Sequence, residues 1–159
     1  MDEREYQSRV TECVPALYRA ARGILRSEQD CADAVQEAVF QGWIKRGQLR
    51  DAARLKPWLT RIVINECRNL QRGALRQLRA VEASAAELRA SPPAQATELE
   101  AALSELEEKY RLPLVLYYAE GYATKEIAEL LDIPPGRLRQ RMHTGRKLLE
   151  RRLRIDARE

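Results

Sequence analysis

The side chains best suited to recognition chemistry lie near the carboxyl end of the chain, on one face of a predicted helix. At about 100° per residue, six polar or basic residues fall on or beside the face opposite the apolar stripe of that helix. They are Arg137, Arg139, Gln140, His143, Thr144 and Lys147. Such side chains hydrogen-bond to phosphates and base edges, and a helix that carries them fits the major groove of DNA.

Two short helices joined by a tight turn are predicted to position this face. Ile127, Leu130 and Leu131 recur at helical spacing, and residues 132–136 then interrupt the pattern with two prolines, which cannot continue a helix but can open one. The apolar stripe of the second helix consists of Leu138, Met142, Gly145 and Leu149. The pattern is that of a helix-turn-helix, which places its second helix in the major groove.

Charge changes sign along this part of the chain. Residues 98–133 contain three Lys or Arg and nine Asp or Glu, whereas residues 134–159 contain nine Lys or Arg and three Asp or Glu. Phosphate repels the first segment and attracts the second, so the field orients the second helix toward DNA. The net charge of +4 is too small to indicate a nucleic-acid partner by itself. The alternative interpretation of the charge distribution is that these side chains are simply solvated at the surface.

A second polar stripe is predicted on a helix that begins near Trp58. Four residues spaced four, three and four apart share one edge of that helix, while Ile62 and Leu70 are expected to face the core. The four are Arg61, Asn65, Arg68 and Arg72. Arginines on a solvated helix face are common, but the DNA-binding unit downstream favours a stripe that contacts phosphates and bases.

An acidic surface is predicted on the middle helix of the amino-terminal half. Its residues lie away from the stripe of Val35 and Val39, and they are Asp33, Gln36, Glu37 and Phe40. DNA repels such a surface, which is better matched to a protein partner. From these residues alone, the simpler interpretation is that Phe40 packs in a wide core and that the acids are solvated.

The chain as a whole is predicted to be all-α, because alternating β-branched runs are missing and apolar residues recur at three and four. We expect an N-terminal helical bundle in residues 1–73, a linker in residues 74–97, and a C-terminal four-helix domain with the helix-turn-helix in residues 98–159. Pro15 is expected to kink or restart the first helix, and Pro113 to lie near a helix start.

Constellations for catalysis or metal binding are missing from the sequence. The single histidine, His143, is far from any cluster of cysteines or carboxylates, and there is no glycine-rich phosphate loop. Cys13, Cys31 and Cys67 form no CxxC pair, which indicates reduced thiols. Neither an apolar signal segment nor a membrane-spanning run is present. We expect a cytoplasmic, non-enzymatic protein with no metal, no cofactor and no membrane insertion.

Two stretches resemble a known family. DAVQE at residues 33–37 and PWLTRIVINECRNLQR at residues 57–72 resemble region 2 of the extracytoplasmic-function sigma factors of bacterial RNA polymerase. Residues 110–149, which begin YRLPLVLYYAEGYATKEIAELL, resemble region 4 of the same family. The resemblance covers both predicted domains in the family's order and leaves the linker unmatched.

The resemblance implies that the chain binds core RNA polymerase, at the β′ clamp helices and the β flap, and directs promoter recognition, DNA melting and initiation at a specific regulon. Asp33, Gln36 and Glu37 would contact the clamp helices. The stripe from Arg61 to Arg72 would bind the melted minus-10 element, and the outer face of the last helix the duplex minus-35 element. An anti-sigma factor, often membrane-anchored, is the implied regulator until a stress signal releases the chain.

Two other classes of protein remain compatible with the residues themselves. One is a freestanding helix-turn-helix regulator, which would bind duplex DNA specifically without polymerase. The other is a helical adaptor whose basic face binds an acidic protein.

Gln140 and Thr144 stand where the family often has serine and arginine, a difference that bears on base preference.

Overall fold

The computed structural model describes residues 1–81 and 97–158, with side chains placed for residues 1–77 and 97–154. Over these residues the chain is helical and has no strand, which confirms the all-α prediction. The α-helices are α1 (Glu3–Arg22), α2 (Glu28–Ile44), α3 (Leu55–Val81), α4 (Glu98–Glu105), α5 (Glu108–Leu114), α6 (Thr124–Leu131) and α7 (Pro135–Arg158). The chain divides into two compact units, residues 1–90 and 91–159.

The first unit is the predicted three-helix bundle. The side chain of Asp2 accepts the Glu5 N–H at 2.8 Å and that of Ser27 accepts the Asp30 N–H at 3.2 Å, so α1 and α2 each begin at a side-chain cap. Two 3-10 turns, Arg46–Gln48 and Ala52–Arg54, join α2 to α3. The most deeply buried apolar residues come from all three helices and are Leu17, Ala20, Cys31, Ala38, Leu59, Val63, Ile64 and Cys67.

Gly42 sets the distance at which α2 packs on α1 and α3. A Cβ atom at Gly42 would lie 2.6 Å from Leu59 Cδ2 and 2.6 Å from Tyr6 Oη. The Tyr6 hydroxyl donates to the Val39 carbonyl at 2.5 Å, and the Tyr6 ring centroid lies 5.3 Å from that of Trp43. Burial, reinforced by Cys13, raises the pKa of Tyr6 to about 12, so the phenol remains a donor.

The second unit contains α4 to α7, and its buried side chains come from all four helices and from the segment that follows α5. Thr97 caps α4, because its hydroxyl accepts the Glu100 N–H at 3.1 Å. A π turn, Val115–Ala119, continues α5 and ends before Gly121, whose φ is 73°. The large side chains that are fully buried in the second unit are Leu114, Leu116, Ile127, Leu138 and Met142.

Gly145 has in α7 the role that Gly42 has in α2. A Cβ atom there would lie 3.1 Å from Leu114 Cδ1 and 3.3 Å from both the Cβ and the carbonyl oxygen of Tyr110. That spacing is tighter than most side chains accept, so α7 lies close against α5 at this point.

The structure departs from three local expectations. α1 is helical on both sides of Pro15, which is exposed, so no new helix starts there. Pro113 lies near the end of α5 rather than its start, and its missing N–H is followed directly by the wider π turn. Leu70 is 38% exposed, because α3 is longer than α1 and α2 and outruns the packing surface that they provide.

α3 also continues past Gly73 as far as Val81, through the first part of the segment predicted to be a linker. The remainder of that segment, residues 82–96, lies outside the described residues.

We predict opposite effects on the first unit from two Gly-to-Ala changes. Gly42→Ala forces a methyl group against Leu59 and Tyr6, and overpacking of this kind costs about 1–3 kcal/mol. Gly73→Ala meets no atom within 4 Å inside α3, and the gain in helix propensity is worth about 0.5–1 kcal/mol. Both tryptophans, at 43 and 58, belong to this unit, so urea unfolding followed by tryptophan fluorescence measures it selectively. Shifts in the same direction would contradict the assignment of Gly42 as a packing constraint.

Candidate nucleic-acid and protein interfaces

The turn between α6 and α7 has a defined hydrogen-bonded geometry. Asp132 adopts the left-handed conformation at φ 55° and ψ 49°. Its N–H donates to the Glu129 carbonyl at 3.3 Å, and the Ile133 N–H donates to the Ala128 carbonyl at 3.0 Å. This pair of bonds is a Schellman motif, which ends α6 and lets α7 begin at Pro135 two residues later. The turn therefore fixes how α7 leaves α6.

The structure places the predicted recognition residues on the solvent side of α7. Leu138 and Met142 are 1% and 2% exposed and fix the opposite face in the core. Five of the six predicted residues are exposed, namely Arg137, Arg139, Gln140, His143 and Lys147, whereas Thr144 is half-buried. None of the five takes part in an ion pair within the described part of the chain. Their charge and hydrogen-bonding groups remain available to a ligand.

The stripe on α3 is likewise directed outward. Arg61, Asn65 and Arg72 are exposed and Arg68 is half-buried, on the side of the helix away from the buried Val63 and its neighbours. A terminal nitrogen of Arg72 donates to the side-chain oxygen of Asn69. The side-chain amide of Asn65, by contrast, has no hydrogen-bond partner among the residues described.

The acidic residues of α2 are exposed and are held by neutral neighbours. Gln29 Nε2 donates to Asp33 Oδ1 at 2.9 Å, and Gln41 Nε2 donates to Glu37 Oε1 at 2.9 Å. Neither carboxylate belongs to an ion pair within the described residues. Both are thus oriented while keeping their full charge.

The expectation that Phe40 packs in the core was wrong. Phe40 is 56% exposed, and so is Ile44 one turn further along α2. The core face of α2 consists instead of Cys31, Ala34, Val35, Ala38 and Gly42, and the helical period places Phe40 on the opposite side of the helix. Phe40 and Ile44 extend the acidic surface with exposed apolar area, which is typical of a protein contact.

Sequence reasoning missed one further group, around Arg146 on α7. Arg146 is exposed and its Nε donates to the hydroxyl of Tyr118 at 2.9 Å. The helical period places Arg146 two turns beyond Arg139 on nearly the same edge, which is a signal available from the sequence. The contact with Tyr118 joins residues 28 apart in sequence and depends on the fold.

The cysteines have no reactive surroundings. Cys31 and Cys67 are buried and Cys13 is half-buried, all as free thiols. Burial raises the pKa of Cys31 to about 11, which keeps the thiol protonated at neutral pH. Among the described residues there is no cluster of His, Cys, Asp or Glu that could hold a metal ion. Within the same residues, no helix has both the length and the apolar character needed to cross a bilayer.

Two family models match the chain in separate segments. The sigma-70 region 2 model matches residues 9–80, and the sigma-70 region 4 model matches residues 96–149. The probable RNA polymerase sigma factor RfaY of Xanthomonas campestris pv. campestris is 29% identical over 95% of this chain, which spans 41% of that protein's length. The ECF RNA polymerase sigma factor SigM of Mycobacterium tuberculosis is 29% identical over 86% of this chain and 71% of that protein.

Solved structures share the fold. The sigma factor RpoE from Bartonella quintana, in complex with the anti-sigma factor NepR, has a TM-score of 0.83 at 24% identity, covering 96% of this chain and 98% of RpoE. CnrH, in complex with the cytosolic domain of CnrY, has a TM-score of 0.70 at 25% identity, covering 98% and 91% of the two chains. With both regions present in the family's order, the chain belongs to the sigma-70 family, as an extracytoplasmic-function sigma factor.

Proposed function

We propose that this chain binds core RNA polymerase and directs it to recognise, melt and transcribe a specific set of promoters. The observation that carries the proposal is the presence in one chain of an exposed acidic surface on α2 and exposed basic surfaces on α3 and α7, all with unneutralised charge. Opposite charge on separate elements matches a protein partner and a DNA partner at once. The proposed division keeps residues 1–73 and 98–159 as the binding domains and residues 74–97 between them.

The α2 surface is assigned to the clamp helices of the β′ subunit. Asp33, Gln36 and Glu37 are exposed, and the two carboxylates are pre-oriented by glutamines, so they can pair with cations on a partner without losing an internal salt bridge. Phe40 and Ile44 add exposed apolar surface from which water is excluded when a partner binds. A charged rim beside an exposed aromatic anchor is the usual composition of a protein interface.

Charge reversal at Glu37 is expected to abolish association with core polymerase. Glu37 is exposed, so Glu37→Lys should change the free energy of unfolding by no more than about 0.5 kcal/mol. Glu12→Lys on α1 makes the same charge change at another exposed position and should leave binding intact. Pull-down of core polymerase by each folded variant measures the effect. Wild-type recovery of core with Glu37→Lys would show that α2 is not the docking surface.

The α3 stripe is assigned to the minus-10 element as melted single strand. The free amide of Asn65 can donate to and accept from the edge of an unpaired base, while Arg61, Arg68 and Arg72 bind phosphates. A base edge becomes accessible in this way only after the duplex opens. The amide therefore acts at the opening step.

Asn65→Ala should impair promoter opening with little loss of duplex affinity. Gln77→Ala is the matched control, because it removes an exposed side-chain amide from the same helix outside the stripe. Permanganate reactivity of the promoter bubble and a duplex-binding assay, both with holoenzyme, separate the two steps. Equal losses in the two assays for Asn65→Ala would refute the assignment.

The outer face of α7 is assigned to the duplex minus-35 element, and with it the basis of promoter choice. Arg139 and Gln140 are exposed near the start of α7 and are suited to guanine and adenine respectively. Lys147 lies on the same face two turns further along, where a recognition helix rises from the groove, and so contacts phosphate.

In vitro transcription from a library with a randomised minus-35 element tests the proposed function directly. Core enzyme with this protein should select a defined sequence, and core alone should not. Gln140→Ser should change the selected sequence, since a bidentate contact discriminates by roughly 1–3 kcal/mol, whereas Lys147→Ala should weaken all promoters alike. Transcripts that do not depend on the added protein would exclude the sigma-factor function and favour a freestanding regulator.

An anti-sigma factor is the proposed regulator of this chain in the cytoplasm. RpoE and CnrH, which share its fold, were solved with the anti-sigma factor NepR and the cytosolic domain of CnrY. The exposed Phe40 and Ile44 support the existence of a protein contact on α2 that such a factor could cover.

A further inference from the structure

Two neighbouring tyrosines project from the π turn between α5 and α6. Tyr118 is 62% exposed and Tyr117 is 37% exposed, and their rings meet edge to face with centroids 4.9 Å apart. Single π turns of this kind occur frequently at functional sites. Neither ring is buried in the core of the unit, so both remain accessible to a ligand outside it.

Arg146 joins this pair from α7. Its Nε donates to the Tyr118 hydroxyl at 2.9 Å, and its Cζ lies 5.7 Å from the centroid of each tyrosine ring. Attraction between a guanidinium and two ring faces, added to the hydrogen bond, holds the long side chain in one orientation. Arg146 is nevertheless exposed, and its bond to Tyr118 uses only Nε, which leaves the two terminal nitrogens for a ligand.

The neutral partner distinguishes Arg146 from two of the arginines that follow it on α7. Arg152 pairs with Glu105 and Arg154 pairs with Glu150, so both are locally neutralised. Arg146 has no carboxylate partner among the described residues. The tyrosines therefore orient this cation without reducing its charge, an arrangement suited to an external anion.

The Tyr118 hydroxyl supplies a second donor to the same place. Because its oxygen accepts from Arg146 Nε, its own O–H is free to donate outward. The terminal N–H groups of Arg146 and the phenolic O–H can thus converge on a single oxyanion. Arginine at such a site binds phosphate through two nitrogens.

We infer that Tyr118 and Arg146 form a phosphate clamp on the DNA backbone beside the minus-35 element, with the Tyr117 ring supporting the guanidinium. The inference rests on the proposed function of α7. Arg146 is seven residues from Arg139, which places the two on one edge of the helix about 10 Å apart along its axis. The clamp fixes the register of α7 in the groove, and base choice is left to the residues on its outer face.

Salt-dependent binding of holoenzyme to a labelled promoter duplex tests the clamp. Arg146→Ala should weaken binding about tenfold and lower the slope of log affinity against log salt concentration by about 0.9, the loss of one phosphate contact. Tyr118→Phe removes only the hydroxyl, so we expect about threefold weaker binding with the slope retained. Arg154→Ala removes an equal charge from the same helix and should change neither quantity, because that arginine is already paired.

The same variants distinguish a phosphate contact from a protein contact at this cluster. Minus-35 preference should be unchanged in all of them, since phosphate contacts carry no sequence information. A loss of core-polymerase affinity in Arg146→Ala with an unaltered salt slope would overturn the inference and assign the cluster to a protein contact. Wild-type affinity and slope in both Arg146→Ala and Tyr118→Phe would also overturn it, while leaving the proposed function intact. A wild-type holoenzyme without promoter preference would instead be a failure of the proposed function.

Discussion

Close approach of helices at two glycines underlies two of the three candidate surfaces, those on α2 and α7. Gly42 lets α2 lie against Tyr6 and Leu59, and Gly145 lets α7 lie against Leu114 and Tyr110. In a small domain, where little surface can be buried, such contacts bring helix backbones close enough for short side chains to complete the core. The opposite faces of α2 and α7 therefore do not contribute to the core. One carries the acidic residues and the other the basic residues.

Charged side chains on these faces are oriented by neutral partners. Glutamines hold Asp33 and Glu37 on α2, and a tyrosine holds Arg146 on α7. A salt bridge within the protein would fix the same geometry but would also compete with the ligand for the charge. Neutral hydrogen bonds reduce the entropy that must be lost on binding and keep the electrostatic attraction, so they serve an initiation factor that must bind two highly charged partners.

Local periodicity predicted most of the fold, and tertiary packing explains the rest. The spacing of Leu138 and Met142 located the core side of α7, and the structure confirms it. The exposure of Phe40 also follows from periodicity, since Phe40 lies on the side of α2 opposite the buried Ala34 and Ala38. The contact between Tyr118 and Arg146, by contrast, depends on a π turn that no sequence pattern indicated. The individual DNA and polymerase contacts remain predictions.

Specific DNA recognition by this chain is proposed to require core polymerase. The most direct test compares the affinity of the free chain and of the holoenzyme for one selected promoter and for a scrambled duplex of equal length, at the same salt concentration. We predict weak binding by the free chain with no preference between the two duplexes, and strong preference for the promoter by the holoenzyme. Equal preference by the free chain and the holoenzyme would contradict this requirement and identify a regulator that acts without polymerase.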